Sequence, residues 1–183
     1  MYRSRSTSII LALGLFLMPT GISAAEEPRY GIGQPASQSD IKEWDIDIAP
    51  NGVGLPHGRG TVPQGAVIFA NKCAVCHGPS GTEGPRDRLV GGHGSLTTSQ
   101  PIKTIGSYWP YATTLYDYIF RAMPFIAPQS LTPDEVYSIV AWLLYQNGII
   151  PKDAVMDART LPTIRMPNRD GFISDSRPDV PIR

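Results

Sequence analysis

The chain has 183 residues, with 16 Lys and Arg against 16 Asp and Glu and only two cysteines. A formal net charge of zero excludes the strongly basic face that nucleic-acid binding rewards, and the length suits one domain. Eighteen glycines and 18 prolines fall mostly outside residues 64–77 and 111–147, which predicts a helical centre with extended arms.

Residues 1–25, MYRSRSTSIILALGLFLMPTGISAA, set Arg3 and Arg5 ahead of an apolar run from Ile9 to Met18 and a small-residue end. That is the layout of a secretory signal, with cleavage expected after Ala24 or Ala25. The run falls short of the roughly 20 apolar residues that span a bilayer, and no later segment is apolar enough to do so. The mature chain is expected to be exported, without a membrane span, to a bacterial periplasm. Loss of the two arginines leaves 14 basic and 16 acidic side chains, again no charge for nucleic acid.

Residues 26–60 form an N-terminal arm without sustained periodicity, in which Ser39 to Trp44 makes at most one helical turn. A helix is predicted from Thr61. Thr61 and Gln64 have capping-box spacing, Pro63 suits a first turn, and Gly65, Ala66, Phe69 and Ala70 form a stripe. It runs into Cys73. Residues 78–110 are glycine-rich and irregular. Thr113 to Ala122 puts Leu115, Ile119 and Ala122 on one face, with Asp117 and Arg121 as an i,i+4 pair on the outside. The clearest helix is 132–147: Thr132 caps it, Pro133 opens it and Glu135 completes the box. Val136, Ile139, Val140, Leu143 and Leu144 make its apolar stripe, and Gly148 ends it. Residues 151–183 show no period and read as a C-terminal arm. The helical domain between the arms is 61–150.

Inside it, residues 71–81 read NKCAVCHGPSG. Cys73, Cys76 and His77 admit three chemistries. A structural zinc needs four ligands, so His57 or His93 would have to complete a set that adjacent Cys76 and His77 present poorly. A redox dithiol needs its C-x-x-C at a helix start, whereas this one sits at a helix end with no strand before it. A structural disulfide across three positions closes too small a loop to stabilise much. Covalent haem attachment needs what is present: two cysteines spaced for the two vinyl groups, then His77 as the proximal iron ligand. A domain with so few apolar residues also gains volume from a buried cofactor.

For the sixth ligand the candidates are Met123, Met156, Met166, His57 and His93. Met123 follows a helix and precedes Pro124, and it is the expected ligand. His93, in a glycine-rich loop, is its rival, and Met166 is expected to pack or to face solvent. A His77/Met123 pair raises the reduction potential relative to two imidazoles and suits electron passage. The ring N–H of His77 is expected to find an acceptor in the Gly84–Pro85 turn. Tyr108, Trp109, Tyr111 and Arg86 or Arg88 are candidate donors to the haem propionates.

Gly65, Phe69 and Cys73 at intervals of four, the C-x-x-C-H run, Met123 and a final helix bearing Trp142 resemble class I cytochromes c over residues 61–150. The resemblance implies an all-α class I cytochrome c fold, three to five helices around one haem, in which Gly65 meets the last helix near Ile139 and Trp142. The stretches EWDIDIAPNGVGLPHGRGTV, KTIGSYWPYATTLYDYIFRAMPF, SLTPDEVYSIVAWLLYQNGII and MPNRDGF are similar to the SoxD-type cytochrome subunit of sulfane dehydrogenase, over roughly residues 30–175. That likeness implies two partners, a sulfite-oxidase-like molybdenum subunit that donates electrons and another cytochrome that takes them. Many members of that family carry a second haem domain; two cysteines allow this chain one haem c. A sulfite dehydrogenase is an alternative molybdenum partner. The expected role is electron transfer, not catalysis. The alternatives are a freestanding shuttle and a haem sensor with an open axial site.

Overall fold

The computed structural model describes residues 32–173. The expected signal segment with its cleavage site, residues 26–31 and residues 174–183 lie outside the described residues. The chain divides into two units after Ala36. Residues 32–36 carry no helix or strand, and every element below belongs to the unit that starts at Ser37.

In chain order the elements are α1 (Gln38–Trp44), β1 (Arg59–Thr61), α2 (Val62–Lys72), α3 (Ala74–His77), α4 (Ala112–Ala122), α5 (Pro133–Gln146) and β2 (Val155–Asp157). Single 3-10 turns stand at Ser95–Thr97 and Leu161–Thr163. Among the described residues the fold is all-α apart from one short ribbon, and its five helices fall within the three to five that the resemblance implies. Three helices open on capping boxes. Thr61 with Gln64 and Thr132 with Glu135 are the two read from the sequence. Ser37 with Asp40 is a third, and it starts α1 one residue earlier than the turn expected at Ser39. Each box satisfies orphan N–H groups of a first turn.

Helix α5 is the axis of the core. Every residue from Val136 to Leu144 is buried, so the apolar stripe is only part of its contact surface. On one side it meets α2 in the fold's most extensive interhelical contact. Gly65 allows this: a Cβ there would stand 2.6 Å from the Ser138 carbonyl carbon and 2.7 Å from the Trp142 Cβ. The expected crossing is present, with Ser138 rather than Ile139 against the glycine. One turn on, the Phe69 and Trp142 rings lie 4.0 Å apart between centroids. At the end of α2, Lys72 Nζ donates to Glu135 Oε1 at 2.6 Å. On another side α4 packs Tyr116 against Tyr137, 4.5 Å between centroids.

Both arms are built onto this core. Four side chains of α4 and α5 hold the backbone of residues 48–59. Asp117 accepts the Ile48 N–H at 2.9 Å, Thr113 Oγ1 donates to Pro50 O at 2.9 Å, Tyr137 OH donates to Pro56 O at 2.9 Å, and Asp134 accepts the Arg59 N–H at 2.8 Å. This corrects the placing of Asp117 on the outer face. Its i,i+4 pair with Arg121 forms, yet Asp117 is only 9% exposed, because the N-terminal arm covers it. After α5, β2 pairs antiparallel with β1, with Met156 opposite Gly60. Met156, Leu161 and Met166 are all buried. The following segment then lies over residues 108–111: Tyr111 forms a β-bridge with Arg165, Asn168 Nδ2 donates to Tyr108 O at 2.9 Å, and the Arg169 guanidinium sits 3.8 Å from the Tyr111 ring centre.

Two outcomes follow. Gly65→Ala forces the Ser138 and Trp142 contacts apart, and urea titration should show a loss of about 1–3 kcal/mol, the usual cost of overpacking. Glu135 is held below the ordinary carboxylate value by Lys72 first, then by the Thr132 N–H. A depressed folded value means a contribution present at neutral pH and lost as pH falls below the ordinary carboxylate range. Lys72→Ala should therefore flatten the acid limb of the urea midpoint against pH. At pH 7 it should cost under about 1 kcal/mol, because the pair is partly exposed.

Candidate functional site

The site grows from the end of α2. Cys73 caps that helix, giving its N–H to Phe69 O at 2.9 Å. One further turn, α3, carries Cys76 and His77, whose N–H groups both donate to Cys73 O, at 3.1 and 3.0 Å. The chain then reverses through Gly78 and Gly81, at φ +78° and +80°, a region open to glycine at little cost. The returning stretch of the loop docks on the motif: Arg86 N–H donates to Cys76 O at 3.0 Å. At Gly84 a Cβ would stand 2.5 Å from the His77 carbonyl carbon.

That loop brings the Asp87 carbonyl to the imidazole, 2.9 Å from His77 Nδ1. The acceptor is therefore Asp87, not the Gly84–Pro85 turn. Gly84 is spent on the close approach to the Cys76–Gly78 backbone, and the chain needs three more residues to reach the ring. A carbonyl only accepts, so the proton resides on Nδ1 and Nε2 keeps its lone pair. His77 thus presents one free donor atom in a fixed orientation.

Cys73 and Cys76 are half-buried free thiols. Burial pushes the Cys73 thiol up to about 11, with Lys72 opposing and Cys76 adding to the rise. A thiol of that kind is a poor attacking group for disulfide exchange. Against the expectation of no strand before the motif, β1 precedes it, yet it sits at the far end of α2 from Cys73. Among the described residues no three His, Cys, Asp or Glu side chains stand where they could hold a metal ion, so neither His57 nor His93 completes a zinc set. Two thiols three positions apart beside an imidazole with a free Nε2 fit covalent haem.

Met123 is the C-cap of α4, in extended backbone at φ −121° and ψ 148°, as a residue before proline prefers. It is half-buried and packs against the core. The other candidates stand elsewhere. Met156 and Met166 belong to the C-terminal arm and are buried in the core, and His57 and His93 are exposed. His93 lines a separate cavity of about 200 Å³ with Gly106, Pro167 and Asn168. Trp109 packs on Tyr118 with centroids 5.8 Å apart, and Tyr108 lies between Phe172 and Lys103. Arg86 and Arg88 are exposed. Around the motif and the Met123 loop, Val75, Phe125 and Ile126 are 81%, 77% and 93% exposed.

Sequence reasoning misses Asp87, since a backbone carbonyl carries no residue-type signal. It also misses Asn147, buried at the end of α5. Its side chain accepts the Gly91 N–H at 3.0 Å and donates to Leu89 O at 3.3 Å, fixing the long loop just past Asp87. A polar residue directly before a helix-ending glycine was the available cue.

Comparison with known proteins agrees with this geometry. The family model described as cytochrome c oxidase, cbb3-type, subunit III matches residues 60–143. A search of curated protein sequences finds no match. Among solved structures, a chain of the sulfane dehydrogenase SoxCD from Paracoccus pantotrophus is 44% identical, with a TM-score of 0.75, over 81% of this chain and 74% of that one. No helix of the described residues is long and apolar enough to cross a membrane. A cytochrome c domain with this site transfers electrons. The chain belongs to the c-type cytochromes, in the family of the SoxD-type cytochrome subunit of sulfane dehydrogenase, and its cofactor is a covalently attached haem c.

Proposed function

We propose that this chain is a periplasmic mono-haem cytochrome. It takes electrons from the molybdenum-containing, sulfite-oxidase-like subunit of a sulfur-compound-oxidising enzyme and passes them to another cytochrome. The observation that carries the reading is the His77 Nδ1–H bond to Asp87 O directly after two free thiols. The likeness to a SoxCD chain supports the choice of partner, and the sequence of residues 1–25 supports export.

In this reading Cys73 and Cys76 would hold the haem through thioethers, and His77 Nε2 and the Met123 sulfur would ligate its iron. When bound, the haem supplies a one-electron iron couple. The chain does the rest. The Asp87 carbonyl accepts the Nδ1–H and so fixes the ring's tautomer and orientation, and the thioether of Met123 favours the reduced iron. Tyr108, Trp109 and Arg86 are the proposed propionate donors, with Tyr111 and Arg88 as neighbours able to share that role.

Three measurements test it. Met123→Ala should abolish the far-red sulfur-to-iron band of the oxidised protein, lower the reduction potential and let the ferrous form bind carbon monoxide. A surviving band would remove Met123 from the iron. Cys76→Ala should leave one vinyl group free, seen as a red shift of the ferrous haem band in alkaline pyridine; an unshifted band would deny Cys76 its thioether. Mixed with the purified molybdenum subunit and its sulfur substrate, the oxidised protein should be reduced in a single fast phase. Equal rates with unrelated redox proteins and no complex would instead mark a freestanding shuttle.

A further inference from the structure

Helix α1 is folded yet covers nothing: every residue from Gln38 to Trp44 is exposed. Seven residues are too few to hold a helix in water on propensity alone, and α1 lacks an apolar footing on the domain. What it has is local order, the Ser37–Asp40 capping box at one end and the Asp45 N–H on Ile41 O, at 2.8 Å, at the other. Its two large apolar side chains, Ile41 and Trp44, stand at i and i+3 and so share a face. They are 43% and 84% exposed. A paired apolar anchor on a capped, projecting turn is the arrangement by which a helix seats in another protein's groove. Tryptophan is among the residue types that dominate such contacts.

The surroundings say what kind of groove. Residues 39–47 hold Asp40, Glu43, Asp45 and Asp47 against Lys42 alone. A second copy of this chain would bring the same acidic rim to the contact, and an anionic lipid surface would repel it. A protein face with an apolar slot rimmed by Lys or Arg complements it. The position of α1 also matters. It is rooted at Ile48, whose N–H is held by Asp117 at 2.9 Å, six residues before Met123 on α4. The anchor point of α1 is therefore on α4, the helix that runs into the Met123 loop with its exposed Phe125 and Ile126.

We propose that α1 is the docking anchor for the electron-donating molybdenum subunit, with Ile41 and Trp44 entering an apolar groove ringed by basic side chains. This deepens the function proposed above and rests on it.

The test is titration calorimetry of the haem-loaded chain into the purified molybdenum subunit, with sedimentation of each chain alone. Ile41→Ala with Trp44→Ala should weaken binding at least tenfold and leave the haem spectrum and reduction potential unchanged. Glu43→Gln with Asp45→Asn should weaken binding less and flatten its salt dependence. Wild-type binding that neither pair of substitutions alters overturns the anchor and leaves the partner assignment standing. Absence of wild-type binding overturns the partner assignment and the anchor with it. A dimer of the chain alone that the double alanine variant dissolves overturns the anchor in favour of self-association.

Discussion

The crossing of α2 over α5 at Gly65 governs where the chemistry can stand. The contact is between a backbone and a backbone, Gly65 against the Ser138 carbonyl, so no side-chain rotamer can lengthen or shorten it. Two further contacts follow along the same helix. Phe69 stacks on Trp142 and Lys72 pairs with Glu135, so positions 65, 69 and 72 define one line at i, i+4 and i+7. A helix held along such a line has neither rotation nor translation left. Cys73 is the next residue, and the attachment turn inherits its position from that line.

A central helix buried all round demands more cover than two neighbouring helices supply. The chain meets this need with its arms, and it does so mainly with polar bonds. Asp117, Thr113, Asp134 and Tyr137 each satisfy a backbone group of residues 48–59. Extended backbone laid against a core leaves N–H and C=O groups that must find partners; here the helices provide them. Beyond α5 the β1–β2 ribbon does the same with main-chain bonds, and Met156, Leu161 and Met166 add the apolar burial. Residues 48–60 and 151–173 are thus part of the packing and not appendages to it.

The elements with their own local code were legible in the sequence. Capping boxes, the opening prolines and the 3.6-residue stripes located α2, α4 and α5 to within a residue or two, because those signals act between near neighbours. The attachment motif was legible for the same reason: Cys73, Cys76 and His77 fall within one turn. What escaped was set by long-range contact. Asp117 reads as a surface ion pair until residue 48 covers it. Thr113, Tyr116 and Asp117, at i, i+3 and i+4, were a second stripe whose polar members concealed that it was an interior one. Strand β2 is three residues long and exists only because β1 lies beside it. The acceptor for His77 is a carbonyl, which every residue type possesses, so only the path of the glycine loop could select Asp87.

This arrangement bears on how the two proposed iron ligands stay in register. His77 hangs from α2 and α3, and Met123 from the end of α4. The contacts described tie each of these helices to α5: α2 through Gly65, Phe69 and Lys72, and α4 through the Tyr116–Tyr137 ring contact. Helix α5 itself contributes neither ligand. A change in α5 therefore reaches both proposed ligands at once, while a change in the segment bearing either one reaches only that one. Electron transfer favours a site whose ligands do not move between oxidation states. Burying the element common to both ligands on every side is a physical route to that rigidity, since a close-packed interior transmits strain but yields little to it.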